Sequence, residues 1–122
     1  MSFNEILNGL IQQVKGAEAA VLSDYDGEPV AEAIAKGTHF DRYTIQLLGA
    51  QLRAPLNYFE KIHRDVQLDH PRSISIKAQE RSILIWLLSD RYFVLLSVRN
   101  GYGTAQAEFQ LKKTADLILQ EM

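Results

Sequence analysis

Two nearly continuous apolar runs constrain this chain most: residues 83–88, Ile-Leu-Ile-Trp-Leu-Leu, and residues 92–98, Tyr-Phe-Val-Leu-Leu-Ser-Val. At six residues the longest unbroken run falls far short of the roughly 20 that a membrane-spanning helix needs. A strand with one wet face alternates, whereas one that is apolar throughout is buried on both faces. The two runs therefore predict strands in the middle of a sheet covered on both sides. The break at 89–91 is too short for a parallel crossover, which takes a dozen residues or more, so the pair is an antiparallel hairpin. Upstream, Ser73-Ile74-Ser75-Ile76-Lys77 alternates with period 2 and is joined by an equally short break at 79–81. It reads as a half-exposed strand opening a three-strand meander, and as a candidate sheet edge.

The remaining elements follow from local signals. Ser2 and Glu5 form a capping box ahead of Phe3, Ile6, Leu7, Leu10, Ile11 and Val14, predicting a helix over 3–15 that stops at Gly16. The apolar run 19–23, the turn Asp24-Tyr25-Asp26-Gly27 and the segment Pro29-Val30-Ala31-Glu32-Ala33 read as a hairpin, with Pro29 favouring an outer position for its second strand. Residues 40–64 carry one long helical pattern. Ile45, Leu48, Leu52, Leu56, Phe59 and Ile62 share one face, and Tyr43, Leu47, Ala50, Ala54 and Tyr58 a second face well over 90° away at 100° per residue. Arg42, Gln46, Arg53, Asn57, Glu60 and Arg64 form a polar stripe between them, and Pro55 is expected to kink the helix near residue 51. After the loop Asn100-Gly101-Tyr102-Gly103, Thr104 can cap a last helix lined by Leu111, Ala115, Ile118 and Met122. The order is α-β-β-α-β-β-β-α, an α+β chain with residues 1–122 as a single domain.

Few chemical groups stand out. Without cysteine there is no disulfide, thiol nucleophile or thiolate metal site. Thirteen Lys and Arg against fifteen Asp and Glu give a net charge of -2, and the basic residues are scattered, which argues against a nucleic-acid partner. His63, Asp65, Asp69 and His70 offer ligand types for a metal or for acid–base chemistry, but their irregular spacing over a helix exit favours a solvated loop. His63-Arg64-Asp65-Val66 resembles a kinase catalytic loop only superficially, since His70 stands where that motif needs Asn. Gly101-Tyr102-Gly103-Thr104 before a helix could cradle an anion, yet it is no P-loop, and a need for positive φ accounts for its glycines. No catalytic residue, cofactor site or metal site is expected. The N-terminal residues lack a basic stretch followed by an apolar one, and no lipidation signal is present, so the expected compartment is the cytoplasm, without membrane insertion.

Apolar surface is in surplus. If the long helix lies on its own sheet through the first face, the second face looks outward, with Gly49, Ala50 and Ala54 small enough for another helix to approach. Contiguous apolar patches of this kind mark contacts. Strand 73–77 is an open edge, and open edges pair with other chains unless, as Lys77 could, a charge guards them. A two-fold dimer that paired the strand with its own copy would also bring the two long helices together. The expected dimer interface is Tyr43, Leu47, Ala50, Ala54 and Tyr58 with Ser73, Ile74, Ser75, Ile76 and Lys77.

The segments Gly16-Ala17-Glu18-Ala19-Ala20-Val21-Leu22-Ser23 and Asp26-Gly27-Glu28-Pro29-Val30-Ala31, with the long helix and the I-x-I strand behind them, resemble the roadblock / dynein light chain family in its bacterial MglB type. The resemblance spans nearly the whole chain. It implies a five-stranded antiparallel sheet of roadblock / profilin-like kind, with one helix on one face and two on the other. It implies homodimers or heterodimers sharing a continuous sheet, and regulation or scaffolding of Ras-like small GTPases without catalysis. On this sequence the GTPase would meet Arg42, Gln46, Arg53, Asn57, Glu60 and Arg64. Pro55 departs from a straight helix. Two other classes stay open: a PAS-like or longin-like sensory domain with a ligand between sheet and helix, and a small metal enzyme built on the His63–His70 segment.

Overall fold

The computed structural model describes residues 1–69, 71–89 and 91–122. Helix α1 (Phe3–Gln13) leads into strands β1 (Ala17–Asp24) and β2 (Pro29–Ile34), then α2 (Arg42–Gln51), α3 (Arg53–Val66), β3 (Ser73–Lys77), β4 (Arg81–Leu87), β5 (Tyr92–Arg99) and α4 (Ala105–Glu121). The strands form one antiparallel sheet in the order β2-β1-β5-β4-β3. The two apolar runs thus lie in inner strands, and the alternating strand β3 and the proline-led strand β2 are the two edges. Leu22, Leu84, Val94 and Leu96 look toward α1 and α4, and Val21, Ile83, Ile85, Phe93 and Leu95 toward α2 and α3. Two helices cover one face, and the broken long helix covers the other.

Two of the helices begin at side-chain caps. The Ser2 hydroxyl accepts the Glu5 N–H and the Glu5 carboxylate takes the Ser2 N–H. Asp41 caps α2 by accepting the Thr44 N–H at 2.7 Å. That N–H holds the Asp41 carboxyl below its ordinary pKa. A lowered folded-state value means the cap's contribution is complete above the unfolded carboxyl's pKa of 3.8 and is lost as pH falls through the folded value. Asp41→Ala is therefore expected to lower the urea midpoint at pH 7, with the gap to the parent closing near pH 3, which denaturation at the two pH values checks.

Four expectations need correcting. The long pattern is two helices, since Leu52 sits between α2 and α3 and Pro55, in the first turn of α3, lacks the N–H that would tie that turn back to residue 51. Helix α1 ends at Gln13 with Val14 already extended, two residues before the expected end. Thr104 occupies the cap position of α4, but its side chain makes no cap hydrogen bond because its backbone is helical rather than extended. Met122 follows the last turn of α4 and is exposed, beyond the reach of the sheet that buries Leu111, Ala115 and Ile118.

A polar cluster at one end of the sheet had no sequence signal. Glu18, 3% exposed, accepts hydrogen bonds from Arg81 Nε at 2.9 Å and from Ser97 Oγ at 3.0 Å. A β-bulge between Ala17 and Ala19 turns Glu18 toward the α2 side, where Phe40 lies 5.5 Å beneath the guanidinium. The bonds to Glu18 raise the Arg81 pKa further above its ordinary value. Among the described residues no buried side-chain nitrogen or oxygen is left without a hydrogen-bond partner.

Candidate functional site

The β1–β2 turn builds the first wall of the site. Asp24 accepts the N–H groups of Asp26 and Glu28 through one carboxylate oxygen, at 3.0 and 2.9 Å, closing an Asx-type turn. Gly27 completes it at φ +89°, and a Cβ there would stand 3.0 Å from Ala50 Cα. The hairpin tip thus rests on the last turn of α2, and the Arg53 guanidinium lies 4.0 Å from Asp26. Gly27→Ala combines a left-handed backbone with that clash and is expected to cost about 1–3 kcal/mol. Chemical denaturation measures it.

Tyr25 carries the second wall. Its hydroxyl donates to the Ser89 carbonyl, its N–H donates to the Arg91 carbonyl, and its ring packs on Phe93 with centroids 6.0 Å apart. The hairpin tip is so joined to the β4–β5 turn. Between these turns and α3 opens a polar cavity of about 600 Å³, lined by Asp24, Tyr25, Asp26, Asn57, Glu60, Arg64, Arg91 and Tyr92.

This geometry divides the six stripe residues. Asn57, Glu60 and Arg64 converge on the cavity, and Arg53 adjoins it through Asp26. Arg42 and Gln46 lie on α2 instead, where Arg42 pairs with Glu32 of β2. The break at Leu52 thus separates the stripe into two groups. Tyr25, Arg91 and Tyr92 enter the site from sequence-distant turns and carried no motif that could have announced them.

The second helix face is open. Tyr43, Leu47 and Tyr58 are 71%, 42% and 63% exposed, and Ala50 and Ala54 are exposed beside them. Gly49 departs from expectation: it is buried against Val21 and Ser23, where a missing side chain seats α2 close to β1. On the first face Ile45, Leu52 and Leu56 are buried, but Phe59 is 38% exposed. Along β3 all but Ile74 are exposed, and Ile76 is 46% so.

At the exit of α3, Gln67 is left-handed and His63 Nδ1 meets the Leu68 carbonyl. Asp65 pairs with Lys61 one turn back at 3.5 Å. His70 lies outside the described residues. Among the described residues no group of three His, Asp or Glu side chains is placed to hold a metal ion, and no helix is long and apolar enough to cross a membrane.

Solved structures match this architecture over nearly its full length. An MglB with a tetrameric arrangement superposes with a TM-score of 0.86 at 12% identity, over 97% of this chain and 85% of that one. This is the roadblock fold. A roadblock/LC7 domain from Streptomyces avermitilis gives a TM-score of 0.84 at 12% identity, over 97% of this chain and 95% of that one. MglC from Myxococcus xanthus gives 0.73 at 22% identity, with both chains fully covered. No protein-family model matches the sequence, and no curated protein is similar to it at the sequence level. The roadblock architecture thus survives a near-complete exchange of residues, as expected where pattern and volume rather than identity specify a core.

Proposed function

We propose that this chain is a non-catalytic, cytoplasmic regulator or scaffold that dimerises with its own copy and binds a Ras-like small GTPase. The observation that carries this reading is the exposure of two surfaces, the apolar outer face of α2 and α3 and the free edge β3. In the proposed dimer, Tyr43, Leu47, Ala50, Ala54 and Tyr58 meet their counterparts while Ser73, Ile74, Ser75, Ile76 and Lys77 pair edge to edge. Burying each large apolar side chain would contribute about 1.5–3 kcal/mol before the costs of association. The tetrameric arrangement of the MglB neighbour is consistent with a fold that self-assembles. Residues 1–122 act as one roadblock-type domain, with no nucleic-acid partner and no membrane insertion.

The GTPase is assigned to the polar stripe, with Arg53, Asn57, Glu60 and Arg64 around the cavity and Arg42 and Gln46 on α2. Mixed charge at such a surface sets register and encounter rate more than raw affinity. Arg53→Glu combined with Arg64→Glu should weaken capture of a Ras-like GTPase by roughly tenfold or more while leaving the dimer intact, read by titration calorimetry alongside sedimentation. Unchanged affinity would remove the stripe from the interface. A sensory reading with a ligand between sheet and helix is less well supported, because Ile45, Leu52 and Leu56 fill that space against Val21, Phe93 and Leu95.

A further inference from the structure

The free edge of β3 presents hydrogen-bonding groups that can be assigned residue by residue. The Ala78 N–H donates to the Arg81 carbonyl and the Leu87 N–H to the Arg72 carbonyl, both at 2.9 Å. In an antiparallel ladder the residues that exchange hydrogen bonds alternate along the strand. Ile74 and Ile76 therefore bond to β4, opposite Ile85 and Ile83, while Ser73, Ser75 and Lys77 direct their N–H and C=O groups outward. Side chains alternate as well. Ser73, Ser75 and Lys77 lie on the α1 and α4 side, opposite Trp86, Leu84 and Ser82, and Ile74 and Ile76 lie on the α2 and α3 side.

This pattern singles out one way for the strand to pair with its own copy. A two-fold axis normal to the sheet keeps the helix layers of both copies aligned and pairs only residues that share a face. Centred on Ser75, it sets Ser75 against its own copy and Ser73 against Lys77 of the second chain, so every outward residue takes part in a hydrogen-bonded pair. Ile74 then meets the second Ile76 at the closer, non-hydrogen-bonded positions, a β-branched pair that covers the 46% exposed Ile76. A centre on Ser73 or Ile74 sets an outward residue against Pro71, which has no N–H to give. A centre on Ile76 sets Ser73 against Gln79, outside the strand. A centre on Lys77 puts like charges opposite each other.

Charge on the α1 and α4 side favours the same register. The Ser75 hydroxyl donates to Glu108 Oε1 of α4 at 3.5 Å, which places that carboxylate beside the axis. Among the described residues Lys77 has no carboxylate within ion-pair distance in its own chain. The second copy brings its Lys77 opposite Ser73, two residues along the strand from Ser75 and the carboxylate above it. We infer that β3 selects a second copy of this chain, paired about Ser75, with Lys77 of each copy forming an ion pair with Glu108 of the other. A lysine that would repel a strand lacking an acidic neighbour thereby favours one that has it. The inference rests on the proposed dimer and fixes its register and its preference for self.

Two measurements test it. The chain contains no cysteine, so a single introduced thiol can bond only to its own copy. Ser75→Cys places Cα atoms about 5.5 Å apart across the axis, within disulfide reach. Ser73→Cys is displaced from its copy by roughly 14 Å along the strand, outside that reach. Copper phenanthroline should convert the first variant to a covalent dimer on non-reducing gels and leave the second uncoupled. By sedimentation velocity, Lys77→Glu and Glu108→Lys should each weaken self-association about tenfold, and an equimolar mixture of the two should recover wild-type affinity. In the mixed dimer unlike charges again face each other, a recovery that a pair inside one chain could not give. No cross-link at Ser75→Cys, variants as tight as wild type, or a mixture no tighter than either variant would overturn the inference while a wild-type dimer still stands. A wild-type chain that sediments as a monomer would overturn both.

Discussion

Leu47→Asp is expected to convert the proposed dimer to a monomer. Leu47 is 42% exposed on the outer face of α2, between Tyr43 and Tyr58, so the isolated chain tolerates a carboxylate there with its hydration intact. In the proposed helix pair the same carboxylate would be desolvated against apolar side chains with no cation to receive it, which costs several kcal/mol. A hot-spot loss of that size corresponds to a dissociation constant raised roughly a hundredfold. Sedimentation velocity should show the smaller species at micromolar concentration, with an unchanged far-UV circular dichroism spectrum. An unchanged sedimentation profile would mean that this face is not the one that associates.

Phe93→Ala is expected to be the most damaging single truncation in the core. Phe93 is fully buried in the central strand β5, packed on the α2 and α3 side beneath Tyr25. Removing a buried aromatic ring costs about 3–5 kcal/mol through lost transfer energy and the cavity left behind. It also withdraws the support of Tyr25, the residue that joins the hairpin tip to the β4–β5 turn. Urea denaturation should show that loss, and a change below about 1 kcal/mol would place the ring outside the core.

What the sequence revealed and what it concealed divide by contact range. Capping at Ser2, the turn at Asp24 to Gly27 and the interruption near Pro55, expected as a kink, are local, and each leaves a residue signature within a few positions. The inner placement of β4 and β5 and the edge placement of β3 follow from burial period alone. Glu18 is the opposite case. It lies in an apolar run, and its partners Arg81 and Ser97 are 63 and 79 residues away. Only the bulge at Ala17–Ala19 brings them together, and a bulge has no signature in that stretch. Gly49 misleads for a related reason. A small residue next to the outer face looks like room for a partner helix, yet one step of 100° turns it onto β1. The candidate site was half legible: the stripe on α3 follows from helical angles, whereas Tyr25, Arg91 and Tyr92 join it through the sheet register.

The surplus of apolar surface on α2, α3 and β3 is the feature on which the functional reading depends. Light scattering coupled to size exclusion, on the wild-type chain across a range of micromolar loading concentrations, tests it most directly. The proposed assembly predicts a constant mass of twice the 13.8 kDa chain. A constant mass of 13.8 kDa would contradict it.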